Sequence, residues 1–284
     1  MNRGFSSRKK PGVTRCGDAV FDWGARTYIM GIVNLSPDSF SGDGLKSIDD
    51  ALAQAVQMVK DGADIIDVGG ESTRPDSKPV SAEEEIKRVI PFIKEAAKAF
   101  SAPVSVDTYK VEVARQAVKA GARIINDISG LRVEPDLLKV AAGNDAILVL
   151  TSNERGRTVT NIMETVIASL QDQIQRAVKA GISRPHIIVD PGIGFGKTVQ
   201  QNLEIMNRLD EMEVLEQPVL IGTSRKSFIG SVLDLPGDQR FEGTAATIAI
   251  GIAGGADIVR VHDVKQMKLV CMMSDAICRS GFKT

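Results

Sequence analysis

The chain has 284 residues, is 43% hydrophobic and contains 26 glycines, enough to bury the core of one large α/β domain. Lys and Arg total 35 against 36 Asp and Glu, so a formal charge of −1 supplies no global attraction to nucleic acid or an anionic membrane, and a small-molecule partner is expected. Three cysteines, two histidines and no Cys-x-x-Cys pair argue against a thiolate or histidine zinc site; Cys271 and Cys278 stand two helical turns apart, roughly 10 Å, too far for a disulfide.

Met1 to Arg15 carry Arg3, Arg8, Lys9, Lys10 and Arg15 with no acid and no clear amphipathic period, which reads as a flexible basic tail (residues 1–15) more than as an organellar presequence. Neither a secretory h-region nor a long apolar span is present in the sequence, so a cytoplasmic location is expected. Cys16 to Trp23 suggest a short hairpin at the bottom of a barrel, with Val20, Phe21 and Trp23 as its apolar contacts. Apolar runs of strand length then begin near Tyr28, Asp64, Pro103, Arg123, Ala146, His186, Pro218 and Ala256. Several are solidly apolar, the pattern of strands buried on both faces. Between and after them, apolar spacing of three and four predicts helices at Ile48 to Lys60, Ala82 to Phe100, Val111 to Ala120, Asp136 to Ala142, Ile162 to Ala180, Asn202 to Met212, Thr244 to Gly254 and Val264 to Cys278. Ser81 with Glu84 predicts a capping box, while Gly62, Gly121, Gly181 and Gly255 mark helix ends. Eight βα units without a boundary predict a single α/β domain over residues 16–284, a (β/α)8 TIM barrel with its site at the carboxyl rim of the strands. A doubly wound open sheet is the alternative.

Polar residues cluster where those strands stop. Asn34 follows the first barrel strand, where its amide oxygen suits a hard cation, a polar ligand or a turn. Asp107, Asn126 and Asp190 end three other strands with short hydrogen-bonding groups, which suit a flat heterocycle offering adjacent N–H donors and a carbonyl acceptor. Each alone is equally compatible with a structural pair. Gly222-Thr223-Ser224-Arg225-Lys226-Ser227 and Arg260-Val261-His262 add cations after the last two strands, a common phosphate site in this fold, and Arg74 supplies another. Gly196-Lys197-Thr198 imitates the end of a P-loop. That motif needs a glycine where this chain has Pro191, and Asp190 would repel phosphate.

The chain resembles the dihydropteroate synthase family in seven ordered stretches: Met30-Gly31-Ile32-Val33-Asn34 with Pro37-Asp38-Ser39-Phe40-Ser41, Gly69-Gly70-Glu71-Ser72-Thr73-Arg74-Pro75, Ser105-Val106-Asp107-Thr108, Asn126-Asp127-Ile128, Asp190-Pro191-Gly192-Ile193-Gly194-Phe195, Ser224-Arg225-Lys226-Ser227 and Arg260-Val261-His262-Asp263. The resemblance implies condensation of 6-hydroxymethyl-7,8-dihydropterin diphosphate with p-aminobenzoate, giving dihydropteroate and pyrophosphate. It further implies that Asp107, Asn126, Asp190, Gly222 and Lys226 bind the pterin while Arg260 stacks on it. Asn34 would hold a magnesium ion (Mg2+) that also binds the diphosphate, with Thr73, Arg74, Arg260 and His262 on the anion. Phe40, Ser41, Thr73, Arg74, Pro75, Phe195 and Ser227 would form the p-aminobenzoate site, Asp107, Lys226, Arg260 and His262 would carry catalysis, and the family implies a homodimer and sulfonamide sensitivity. Two departures stand out. The usual Ser-Asp-Gly-Gly of the first loop reads Ser41-Gly42-Asp43-Gly44, and the usual Met-His pair after the fifth strand is replaced within Leu150-Thr151-Ser152-Asn153. An inactive or regulatory pterin-binding paralogue and a pterin-dependent methyltransferase are the competing readings.

Overall fold

The computed structural model describes residues 12–36, 47–72, 79–134 and 136–279. An antiparallel hairpin, β1 (Val13–Cys16) and β2 (Ala19–Asp22), precedes eight parallel strands: β3 (Tyr28–Asn34), β4 (Ile65–Gly69), β5 (Val104–Asp107), β6 (Ile124–Asp127), β7 (Ile147–Thr151), β8 (Ile187–Asp190), β9 (Leu220–Ile221) and β10 (Ile258–Val261). They hydrogen-bond in the order β8-β7-β6-β5-β4-β3-β10-β9. A parallel bridge between Val189 and Val219, with the Val189 N–H donating to the Pro218 carbonyl at 2.9 Å, joins the two ends. The sheet is therefore a closed barrel, and the open-sheet alternative falls.

Helices follow the strands: α1 (Ile48–Lys60), α2 (Ala82–Ala99), α3 (Val111–Ala120), α4 (Leu137–Gly143), α5 (Ile162–Lys179), α6 (Val199–Asn207), α7 (Ser227–Leu233), α8 (Phe241–Ala253) and α9 (Val264–Cys278). The Ser81 hydroxyl caps α2 by accepting from the Glu84 N–H at 3.2 Å, while a box with both reciprocal bonds forms at Thr198 and Gln201 of α6. Gly121 ends α3 at φ 122°, a conformation glycine adopts without steric cost. α7 was not predicted: seven residues between a turn and a longer helix give too short a period to read, although Phe228 and Ile229 anchor it in the core. The helix expected from Asn202 to Met212 ends at Asn207 and continues as a 3₁₀ turn, Leu209–Leu215.

Side chains alternate between the barrel lumen and the surrounding helices, as the pleat requires. Tyr28, Met30, Ile65, Ile124, Ile147, Val149, Ile188, Leu220 and Ile258 fill the lower lumen together with Cys16, Phe21 and Trp23 of the hairpin region. Phe21 and Trp23 stack at 5.2 Å between centroids, and Tyr28 meets both edge-on. The Trp23 indole N–H donates to Thr14 Oγ1 at 2.7 Å, and that hydroxyl donates to the Pro185 carbonyl at 2.6 Å. The hairpin thus seals the amino end of the barrel, with two corrections to its expected extent. It begins at Val13, so Val13–Arg15 belong to a strand and not to the tail. Val20 lies on the outer face, 47% exposed, because strand alternation turns it away when Phe21 turns inward.

Candidate active site

Two residues beyond the apolar layer, the same inward-facing register carries a different chemistry. Ile65 is followed by Asp67, Ile124 by Asn126, Val149 by Thr151, Ile188 by Asp190, Leu220 by Gly222 and Ile258 by Arg260. Asp107 joins them from β5, opposite Gly69 on one side and Asn126 on the other. The upper lumen is consequently lined by carboxylates and cations.

Arg260 organises this layer. Its Nε donates to Asp67 Oδ2 at 2.6 Å and its Nη2 to Asp107 Oδ2 at 2.8 Å, while Asn126 Nδ2 donates to the same Asp67 oxygen at 3.2 Å. Burial opposes the Arg260 charge, but Asp67 and Asp107 outweigh it and raise the guanidinium pKa. Burial also pushes the Asp107 carboxyl up to about 7, against the pull of Arg260 and with a further push from Asp67. Burial raises Asp190 in the same direction, opposed by the Gly192 N–H, which donates to its Oδ1 at 2.7 Å. Lys226, the residue before α7, is brought down to about 8 by desolvation and by the neighbouring Arg260. Its ammonium lies 4.5 Å from the ring centroid of Phe195, and Arg155 lies 5.2 Å from the same ring.

The loop after β8 is shaped by close approach. A Cβ on Gly192 would overlap the Ser152 carbonyl, one on Gly196 would overlap the backbone of Glu154 and Arg155, and both glycines have positive φ. Lys197 fastens this loop by donating to the carbonyls of Ser152 at 2.7 Å, Gly192 at 3.0 Å and Phe195 at 3.4 Å. All three ammonium protons have backbone acceptors, so Lys197 is a structural clasp, in keeping with the rejection of a P-loop. The replaced Met-His segment is built into the same clasp through the Ser152 carbonyl, and the Glu154 N–H donates to the Phe195 carbonyl at 3.1 Å.

Other expected residues sit higher on the rim. His262 Nδ1 is 2.9 Å from Ser224 Oγ, and the same hydroxyl accepts from the His262 N–H at 3.3 Å. Ser227 opens α7 and is exposed. Gly222 borders Arg260: a Cβ there would meet the Arg260 Cβ at 3.9 Å, ordinary contact, so space alone does not require glycine. Asn34, half-buried at the end of β3, accepts from the Ser36 N–H at 3.3 Å, an Asx-type turn. Phe40, Ser41, Gly42, Asp43, Thr73, Arg74 and Pro75 lie outside the described residues.

No group of three or more His, Cys, Asp or Glu side chains gathers as a metal cage among the described residues. A single amide oxygen at Asn34 fits an ion that takes its remaining ligands from water and a substrate diphosphate, the habit of magnesium. Asp67 was missed as a functional residue, although its signal was present in the sequence: it follows inward-facing Ile65 by two positions. The pairing of Arg260 with Asp67 across the lumen had no sequence signal.

The chain and its barrel have counterparts. Residues 30–262 match the family described as pterin binding enzymes. A dihydropteroate synthase of Bacillus subtilis is 50% identical over 257 residues, spanning 90% of this chain and 90% of that protein. The structure of a dihydropteroate synthase from Clostridium difficile in the presence of pteroic acid superposes with a TM-score of 0.88 at 46% identity, covering 91% of this chain and 99% of that one. A Xanthomonas albilineans dihydropteroate synthase with 4-aminobenzoic acid gives a TM-score of 0.88 at 36% identity over 93% of this chain and 97% of that one.

Proposed function

The chain belongs to the dihydropteroate synthases, pterin-binding enzymes of folate biosynthesis, and we propose that its upper lumen and rim condense 6-hydroxymethyl-7,8-dihydropterin diphosphate with p-aminobenzoate to give 7,8-dihydropteroate and pyrophosphate. The observation that carries this reading is the inward array of Asp107, Asn126 and Asp190, in which Arg260 binds Asp107 directly and shares its Asp67 partner with Asn126. Asp190 accepts two N–H groups of the aminopyrimidine edge, Asn126 and Lys226 complete the polar contacts, and the aliphatic stem and guanidinium of Arg260 flank the ring.

The electron-rich dihydropterin can delocalise positive charge at its methylene, so carbon–oxygen cleavage precedes attack by the aniline nitrogen and no covalent nucleophile is needed. Asp107 stabilises the transient cation, and removing such a preorganised group typically costs about 3 kcal/mol of barrier. His262, Arg260, Thr73 and Arg74 bind the departing pyrophosphate. Magnesium bound through Asn34, water and the diphosphate would neutralise the leaving group. Asn34→Ala is expected to shift the magnesium requirement upward while the pterin affinity measured without magnesium stays unchanged; superimposable titrations would leave Asn34 as a turn residue only. Phe195 and Ser227, with Phe40, Ser41, Thr73, Arg74 and Pro75, receive p-aminobenzoate, and sulfonamides compete there.

The test is incubation with the pterin diphosphate, p-aminobenzoate and magnesium: pyrophosphate released one for one with dihydropteroate supports the synthase, and binding without turnover supports the inactive paralogue. Among the described residues no helix is long and apolar enough to cross a membrane. A homodimer is proposed through α8 and α9. Leu269, Met272, Met273 and Ile277 recur at helical spacing on exposed α9, and Ile250 is exposed on α8. Ile248 and Ile252 of α8 are buried and take no part in that surface. Light scattering of Met273→Lys should report one chain where the parent reports two; a one-chain parent would remove the dimer.

A further inference from the structure

Outside the pterin-facing array, the connection leaving β4 meets the chain beyond β5 at a buried ion cluster. Lys110, 8% exposed, donates to a carboxylate oxygen of Glu71 and to one of Glu85, which is itself 1% exposed. The Tyr109 hydroxyl donates to Glu71 Oε1 at 3.2 Å, and the Val80 N–H donates to Glu71 Oε2 at 3.3 Å. Arg88 adds a bond to the Gly70 carbonyl at 2.8 Å.

This cluster lies directly behind Asp107. Lys110 stands three residues after Asp107 in the chain, and Gly69 pairs with Asp107 across the β4–β5 ladder. A Cβ on Gly69 would meet the Asp107 Cβ at 3.5 Å. One on Gly70 would come within 2.8 Å of Glu85 Cγ and 2.9 Å of Val89 Cγ1, tighter than packed atoms tolerate. The stretch Gly69-Gly70-Glu71 therefore threads between Asp107 and α2, and the Lys110 ammonium ties its far end to both neighbours. Lys110 is the ammonium between the Glu71 and Glu85 carboxylates in a poorly solvated place, where each charge is felt over several ångströms.

We propose that Lys110 is a positioning residue for the reaction: by clamping Glu71 and Glu85 together it fixes the Gly69–Glu71 turn against Asp107 and cancels negative charge facing that carboxylate. The proposal rests on the reading that Asp107 works ionised. The charged groups acting on Asp107 are Arg260 from β10, Asp67 from β4, Glu85 from α2 and Lys226 from the turn before α7, with neutral Asn126 beside it on β6. Of these, Asp67 and Glu85 favour the protonated form, and Lys110 directly neutralises Glu85.

The experiment is the pH profile of kcat/KM for the pterin diphosphate at saturating p-aminobenzoate, with melting temperature recorded for each protein. Lys110→Met leaves two uncompensated carboxylates and should move the acid limb up by about one pH unit, a tenfold loss on that limb. Glu85→Gln removes a facing charge and should move the same limb down, and Lys110→Arg should restore the parent profile. A merely structural role would lower stability in both variants without opposite displacements of the limb. If Lys110→Met does not fold, the Glu85→Gln and Lys110→Arg profiles still decide. Profiles that superimpose on the parent, or limbs that move in the same direction in Lys110→Met and Glu85→Gln, overturn the proposal. An absence of turnover in the parent protein would instead overturn the reading of the site as a synthase.

Discussion

The lower and upper halves of the barrel lumen are built by the same strands, two residues apart, and have almost nothing else in common. Below, an aromatic cluster and the inward aliphatics exclude water, and the polar groups of the hairpin are satisfied by Thr14 and Pro185. Above, Asp67, Asp107 and Asp190 share a small volume with Arg260 and Lys226, and Asp67 Oδ1 and Thr151 Oγ1 have no hydrogen-bond partner among the described residues. Burying such charges is costly even when they are paired, so the upper layer does not stabilise the fold in proportion to its contacts. One pleat repeat, about 7 Å, separates a layer that holds the barrel from a layer the barrel must hold.

The largest expected effect breaks the lower half. Trp23→Ala removes a fully packed ring and leaves the Thr14 hydroxyl without its donor, so chemical denaturation should show a loss of about 3 to 5 kcal/mol. Activity per folded molecule should be unchanged. A fall in kcat/KM at full folding would mean that the two halves are not separable.

Asp190→Asn breaks the upper half and should show the reverse pattern. The amide presents one acceptor and one donor to a ring edge that offers donors, a mismatch of about 2 to 4 kcal/mol in pterin binding by calorimetry. Because Asp190 is destabilised by burial, the folded variant should be no less stable than the parent. Unchanged pterin affinity would remove Asp190 from the site.

A pH profile sharpens the same contrast. Asp107 is raised to about 7 and Lys226 lowered to about 8, and the proposed mechanism uses the first deprotonated and the second protonated. The value of kcat/KM should therefore climb as pH rises through about 7 and fall as it passes about 8. Lys226→Arg should abolish the alkaline limb, because a guanidinium does not titrate there. A limb that persists in this variant belongs to another group or to the substrate.

The lower half was legible in the sequence because it follows one-dimensional rules. Strand starts read from apolar runs fell within a few residues of the observed ones, and helix stops coincided with glycines such as Gly121. The outward turn of Val20 and the short α7 were not legible, since a hairpin of two four-residue strands and a helix of seven residues give too few repeats to fix phase. In the upper half, Asp107, Asn126 and Asp190 announced themselves by ending apolar strands. Their connections did not: the Arg260 bridge to Asp67 spans 193 positions in the chain, and the Lys110 cluster joins residues 25 and 39 apart. Charge pairing across a lumen depends on closure of the barrel, which no local pattern encodes.

The smallest effect tests whether the upper half is polar throughout for the sake of the ligand. Thr151 lies in the Leu150-to-Asn153 stretch, level with Asp190 in the β7–β8 register, fully buried, its hydroxyl without a partner among the described residues. Its carbonyl is held by Gln173 Nε2 at 3.2 Å, so the backbone should stay in place when the side chain changes. Thr151→Val keeps the shape and removes the unpaired hydroxyl, whose desolvation is otherwise uncompensated, so stability should rise by about 1 kcal/mol with pterin affinity unchanged. That outcome would make Thr151 an extension of the apolar layer in all but one atom. A loss of pterin affinity would instead make the hydroxyl a ligand contact and carry the functional half of the lumen onto β7.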